Sequence, residues 1–200
     1  MHFHTPDWDL TLFAWINQDI HNRLFDVVMP LLSSDVFLWA ISFGLLAAGM
    51  KFRRVTATMI LGVALCIAVS DQVCYHIKEY VGRVRPYQSL AGTRYQDSGA
   101  WMVRPTDFTP QKRSGSSFPS SHASNAAAAV TFLYVSMRRK ALWAIPLAVG
   151  FSRIYLGKHF PTDVLAGWAV GLAVGSALAV LYPALCSRIR SRWMRYRLRT

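Results

Sequence analysis

The sequence predicts an all-α fold: an integral membrane helical bundle of about five transmembrane helices, preceded by N-terminal interfacial helices. Three observations predict it. The hydrophobic fraction of the 200 residues is 53% while the formal net charge is +12, a pairing that suits apolar spans joined by basic loops. Apolar runs that cross or nearly cross hydrocarbon recur along the chain. The basic residues sit in blocks between those runs, whereas a nucleic-acid binder spreads them over a soluble surface, so nucleic acid is set aside as a partner. The length allows a single domain, residues 1–200, with an interfacial segment at 1–34, an outer-face loop at 79–118 and a basic tail at 187–200. The first ten residues, MHFHTPDWDL, lack the basic and apolar regions of a signal peptide, so targeting is expected from the spans.

From Asp9 to Ser33 apolar residues recur at helical spacing with acids and amides between them. That pattern is too polar to span. It suits a helix lying in the interface with Trp8 and Trp15 as anchors, or equally a cap packed on the bundle. Val36 to Met50, just long enough to cross with Pro30 to Ser34 included, is the first expected span, ending at Lys51, Arg53 and Arg54, and Val55 to Ile77 the second. Lys78 to Phe118, rich in Gly, Pro, Arg and Ser, reads as an extramembrane loop. Ala123 to Met137 forms the third span, Ala141 to Leu156 the fourth and Val164 to Cys186 the fifth. The third and fourth are short, which a bundle accommodates when their ends line a polar cavity. Gly167, Gly171 and Gly175 repeat at every fourth position and predict a close helix contact. Cys66, Cys74 and Cys186 lie in apolar runs without metal-binding spacing and read as small core residues.

Orientation follows from charge. The loops at Lys51 to Arg54, at Arg138 to Lys140 and after Cys186 hold twelve Lys or Arg and no acid. Alternation of five spans puts them on one side, which the positive-inside rule makes cytoplasmic. The opposite side, in a bacterium with two membranes the periplasm, receives three polar clusters: Lys78, Arg83 and Arg85; Pro119, Ser120, Ser121 and His122; and Arg153, His159 and Asp163.

Charge at the edge of hydrocarbon is costly enough to mark a functional site. Lys78, Arg85 and Arg153 suit a multiply charged oxyanion, the guanidinium forks binding in pairs and the lysine acting as a point charge. Pro119 is expected early in the third helix, where backbone N–H groups around Ser120 to His122 face an anion. Asp163, four residues after His159, can reach back to one imidazole nitrogen and leave the other as nucleophile. His122 is then the general acid and base. Arg83, Arg94, Arg104, Lys112 and Arg113 read as solvated or headgroup-facing, Lys158 as an outward interface lysine, and Asp71 as a buried structural partner two turns from Lys78.

KEYVGRVRP at Lys78 to Pro86, PSSH at Pro119 to His122 and SRIYLGKHFPTD at Ser152 to Asp163 together resemble the three-part signature of the type 2 phosphatidic acid phosphatase superfamily, which also includes the vanadium haloperoxidases. Ser121 stands where that family most often has glycine. The resemblance implies a metal-independent phosphatase, without cofactor, that acts on a membrane lipid phosphate through a phosphohistidine. It implies His159 as nucleophile, Asp163 as its orienting partner and His122 as general acid and base. Lys78, Arg85, Ser120, Ser121 and Arg153 would surround the phosphate. An outward site leads to undecaprenyl pyrophosphate as the expected substrate; phosphatidylglycerophosphate, phosphatidic acid and lipid A phosphates, or transfer to a second lipid, are the alternatives. A non-catalytic binder of anionic lipids would need the cations but neither histidine, and a soluble haloperoxidase would need a soluble shell. The sequence says nothing of oligomeric state.

Overall fold

The computed structural model describes residues 5–34, 47, 57–110 and 112–197. Apart from residue 47, the first expected span, residues 36–50, lies outside them, as does the basic loop Lys51 to Arg54; Pro30 to Ser34, counted toward that span, instead close the helix Arg23–Ser33 before it. Helix α1, Asp7–Ala14, runs on as a π-helical turn, Trp15–Asp19, and α2 follows at Arg23–Ser33. Asn22 starts α2 by accepting the Phe25 N–H at 2.9 Å, which satisfies one of the donors a helix start leaves open. The inner faces of this segment, Phe13, Ile16 and Met29, pack with Ala123, Ile154, Tyr155, Phe160 and Val164 in one core. The N-terminal segment is therefore a cap on the bundle, with Trp8 and Trp15 each 53% exposed on its outer side.

Among the described residues the bundle consists of α3 at Ala57–Val81, α4 at Ser121–Met137, α5 at Ala144–Tyr155 behind a 3-10 turn, Lys140–Trp143, and α6 at Pro161–Arg197. Two stretches among the described residues are long and apolar enough to cross a membrane, Thr58–Ser89 and Pro161–Tyr182. Helix α4, with 17 residues, is at the lower limit for a span, and α5, with 12, is below it, in keeping with the two short runs in the sequence. Leu61, Leu65, Val69 and Val73, one every fourth residue of α3, are all exposed, an apolar stripe of the kind that faces lipid. The segment from 187, read as a tail, continues α6 as helix to Arg197.

Helix α4 makes its most extensive contact with α6, and small residues are the reason. A methyl group at Gly167 would lie 2.5 Å from the Ser120 carbonyl oxygen, and one at Gly175 would lie 2.6 Å from that of Ala128. The glycines thus let two backbones touch, as their spacing predicts. Cys66 and Cys74 are fully buried, Cys66 in a second apolar cluster with Ala128 and Phe132.

The 79–118 loop is ordered in a way its composition hides. It holds a single helical turn, Pro86–Ser89, and an antiparallel hairpin of β1, Arg94–Asp97, and β2, Ala100–Val103, with Arg94 opposite Val103. Ser98 and Gly99 close it with φ of 49° and 86°, the doubly left-handed turn that matches strand twist. Asn17, fully buried, pairs with β1 as another strand would. Its amide donates to the Arg94 carbonyl at 2.8 Å and its oxygen accepts the Arg94 N–H at 2.8 Å. The hairpin is a local exception to the all-α expectation, and it ties the loop to the cap.

Candidate active site

The three clusters meet where α3, α4, α5 and α6 end or begin. Helix α5 stops at Tyr155, and Gly157 turns the chain with φ of 67°; a side chain there would also strike the Arg94 carbonyl oxygen. The Arg153 carbonyl then accepts the N–H groups of Lys158 and His159 at 3.1 and 3.3 Å. Asp163, in the first turn of α6, accepts the Phe160 N–H on Oδ2 at 2.9 Å. This is the carboxylate half of a capping box, so the same side chain that starts α6 stands beside His159.

His159 is 2% exposed. Its Nδ1 lies 2.8 Å from the Ser117 carbonyl oxygen and 3.6 Å from Asp163 Oδ2. A carbonyl oxygen only accepts, so Nδ1 carries the proton and Nε2 keeps a lone pair. The direct orienting bond therefore comes from Ser117, and Asp163 acts on the imidazole from ion-pair distance. This corrects the expectation that the carboxylate itself bonds the ring, and the cause is competition. Asp163 is occupied by the Ser117 hydroxyl, which donates to Oδ2 at 2.5 Å, and by Arg83, which donates to Oδ1 at 2.6 Å. Burial pushes the His159 pKa down to about 4, opposed by Asp163 and reinforced by the positive charges of Arg153 and Arg85. The imidazole is neutral at neutral pH.

Around it stand the expected cations. Lys78 donates to Ser121 Oγ at 2.6 Å, Arg85 reaches Ser116 Oγ at 3.4 Å, and Arg153 is 8% exposed. Arg85 and Arg153 also act electrostatically on Lys78 and on Lys158, so the four cations share one field. Ser120 is the N-cap of α4, fully buried, with an Oγ that has no hydrogen-bond partner among the described residues. Its N–H donates to the Asp163 carbonyl at 2.9 Å, and Ser124 makes the first bond of the α4 ladder, to Ser120. The amides that precede that ladder are those of 121 to 123, the positive end of the helix. Pro119, expected inside the helix, precedes the N-cap, because Ser120 keeps an extended backbone with ψ of 108°. His122, half-buried, sits in the first turn of α4.

Several side chains differ from the sequence reading. Arg83, expected at the surface, is 3% exposed and bonded to Asp9 at 2.7 Å as well as to Asp163. Arg94 pairs with Asp26 at 3.2 Å, and Arg104 donates to the Tyr87 carbonyl at 2.7 Å. Lys112 and Arg113 are exposed, as expected. Lys158 is half-buried with its ammonium 4.5 Å from the centre of the Tyr87 ring, and burial and the two arginines lower its pKa. Asp71 is exposed instead of buried. The residues that sequence reasoning missed are Asp9, Arg83, Ser117 and Thr162. Arg83 carried a signal, two positions before Arg85, and Asp9 carried a faint one, an acid on a cap in a basic chain. Ser117, one of many serines, carried none. A polar cavity of about 450 Å³ opens beside Arg85, lined also by Tyr87, Gln88, Lys112, Ser114, Gly115 and Ser116.

The PAP2 superfamily model matches residues 56–186. Lipid A 4'-phosphatase of Bacteroides thetaiotaomicron is 26% identical to this chain, over 94% of the chain and 76% of that protein. Undecaprenyl-diphosphatase of Sulfolobus acidocaldarius is 28% identical, over 68% of the chain and 59% of its own length. The crystal structure of Aquifex aeolicus LpxE superimposes with a TM-score of 0.66 at 24% identity, covering 89% of this chain and 98% of that one, a likeness of fold.

Proposed function

The chain belongs to the PAP2 superfamily, and from that premise we propose that it hydrolyses a lipid diphosphate through a phosphohistidine on His159. That it is a hydrolase of phosphate esters on lipids follows from its family and its named relatives. The observation that carries the mechanism is the bond from His159 Nδ1 to the Ser117 carbonyl, which leaves Nε2 unprotonated. Nε2 attacks phosphorus, an N–P bond forms and the P–O bond to the leaving group breaks. His122 gives that oxygen its proton, then takes one from water as the water displaces histidine and releases phosphate. Lys78, Arg85 and Arg153 neutralise the phosphate oxygens, and Ser120, Ser121 and the α4 amides hold them. Asp163 orients His159 and opposes its desolvation. No step calls for a metal, so turnover in excess chelator equals turnover without it.

Undecaprenyl diphosphate is the substrate we favour. Arg85 and Lys112 both line the cavity, and the Lys158 ammonium lies 4.5 Å from the centre of the Tyr87 ring in its wall. Cations in that position suit a second phosphate next to the one attacked. The relative that acts on undecaprenyl diphosphate supports the same reading. A lipid A phosphate is the second reading, supported by a relative that aligns with 94% of the chain; phosphatidylglycerophosphate and phosphatidic acid fit the phosphate cluster without using the cavity. The chain is one domain of five spans, 1–200, with the site at the periplasmic face of the inner membrane and the C-terminus in the cytoplasm. This placement rests on the positive-inside count. Phosphate released by purified protein from a panel of undecaprenyl diphosphate, lipid A, phosphatidylglycerophosphate and phosphatidic acid tests it: the diphosphate is turned over fastest, and a preference for any monophosphate rejects the assignment.

A further inference from the structure

The roles assigned above leave two members of a buried charged network, Asp9 and Arg83, without a task. Asp9, Arg83 and Asp163 are 0%, 3% and 0% exposed. One terminal nitrogen of Arg83 donates to Asp163 Oδ1 and to Thr162 Oγ1, both at 2.6 Å, and the other donates to Asp9 Oδ2 at 2.7 Å. Asp9 in turn accepts the Thr162 N–H at 2.9 Å and the Thr162 hydroxyl at 2.6 Å. The ring closes between helix α1 and the first turn of α6. The Arg83 guanidinium also lies 3.9 Å from the centre of the Phe160 ring, and its carbonyl accepts the Ser117 N–H at 2.8 Å.

Stability alone gives little reason for such an arrangement, because apolar side chains of like volume often serve a buried site as well as an ion triad does. Its location gives a better one. Two routes from Arg83 end on the groups that set His159: the side chain holds Asp163, which receives the Ser117 hydroxyl, and the backbone holds the Ser117 amide. The Ser117 carbonyl fixes the imidazole. We propose that Asp9 and Arg83 are positioning residues for catalysis, and that the N-terminal helix α1 belongs to the catalytic apparatus and is more than a cap. Asp9 fixes the second nitrogen of Arg83 and the start of α6, so the guanidinium presents one face to Asp163. Without Asp9 the guanidinium is free to turn toward other acceptors, and Asp163, Ser117 and the imidazole shift together. A displacement of about 1 Å at a reacting group costs on the order of a hundredfold in rate. The inference rests on His159 being the nucleophile.

The test uses the full chain, purified in detergent with undecaprenyl diphosphate as probe, well below its melting temperature. Asp9→Asn keeps the shape and removes the charge. Its kcat per folded protein falls about tenfold or more while KM stays within about twofold. A purely structural role would lower the melting temperature and leave kcat unchanged. The same substitution placed in an Asp163→Asn background loses most of its effect, because Asp9 acts through Asp163. Thr162→Val, which leaves all three charges in place, shows a smaller fall with the same split and serves where Asp9→Asn does not fold. Unchanged kcat in both Asp9→Asn and Thr162→Val, or an undiminished factor in the double variant, overturns the inference. His159→Ala is the control for the premise: an inactive His159→Ala beside a normal Asp9→Asn rejects the positioning role and leaves the phosphatase reading intact.

Discussion

The two ends of the α4–α6 contact are built on opposite principles. Toward the middle of the bundle, Gly171 and Gly175 meet Ala127, Ala128 and Thr131 in a dry contact beside Cys66 and Phe132. At the Ser120 end the same two helices are joined through polar groups: the Ser120 N–H on the Asp163 carbonyl, the Ser117 hydroxyl on the Asp163 carboxylate, and the imidazole on Ser117. The first end is held by shape, where an error in volume is felt gradually. The second is held by paired donors and acceptors, where one missing partner strands a buried charge. A functional site built on the second kind is accurate because the first kind holds the helix axes still.

The comparison breaks most severely at His159, the proposed nucleophile. His159→Ala and His122→Ala each lose turnover by about four orders of magnitude or more in a phosphate-release assay, while both proteins elute and melt as folded. Activity within tenfold of the parent in either variant ends the assignment of that histidine.

A proton sharpens it next. His159 has its pKa lowered from 6.5 to about 4 in the folded chain, so between those values the unfolded state binds a proton that the folded state refuses. Stability is full above pH 6.5 and falls as pH drops toward 4, by about 3 kcal/mol from this group. The same shift keeps the nucleophile neutral, so the limb that this histidine contributes to kcat/KM lies near pH 4 and not near 6.5. Thermal melts and rates across that window, with His159→Gln lacking the stability slope, check both signs.

The smallest expected effect lies at the dry end. Gly171→Ala puts a methyl group against the Ser124 carbonyl oxygen and 2.7 Å from the Ala127 side chain, so α6 moves off α4 at a cost of about 1–3 kcal/mol, read as a lowered melting temperature. Its activity at low temperature declines far less than that of either histidine variant. A loss of activity as deep as theirs would mean that the helix contact and the site are one mechanical unit.

Much of the site was legible because its residues sit at the ends of apolar runs. Lys78, Arg85, Ser120, Ser121, His122, Arg153, His159 and Asp163 interrupt hydrocarbon-like sequence, and a charged or polar group there has few reasons other than function. The glycines of α6 were legible for a related reason, since a repeat at every fourth position marks one face. Ser117 was not, because it orients His159 through a carbonyl oxygen that every residue possesses, and its hydroxyl on Asp163 is one among many in a serine-rich loop. Asp9 and Asn17 looked like the polar side of an amphipathic helix. That periodicity reports how residues alternate around a helix axis and says nothing of a second surface that buries the polar side as well. The hairpin was hidden for lack of apolar alternation; its anchor is the amide of Asn17, 77 positions away from Arg94.

By itself the sequence determined the helical class and the family, and it singled out the cations and the two histidines proposed for the phosphate site, since each follows from residue type and short-range spacing. Only the tertiary structure decided which group orients His159, that Arg83 is buried between Asp9 and Asp163, and that the N-terminal segment caps the bundle. Those outcomes depend on donors and acceptors brought within about 3 Å across long stretches of chain, and such pairing leaves no trace in local periodicity.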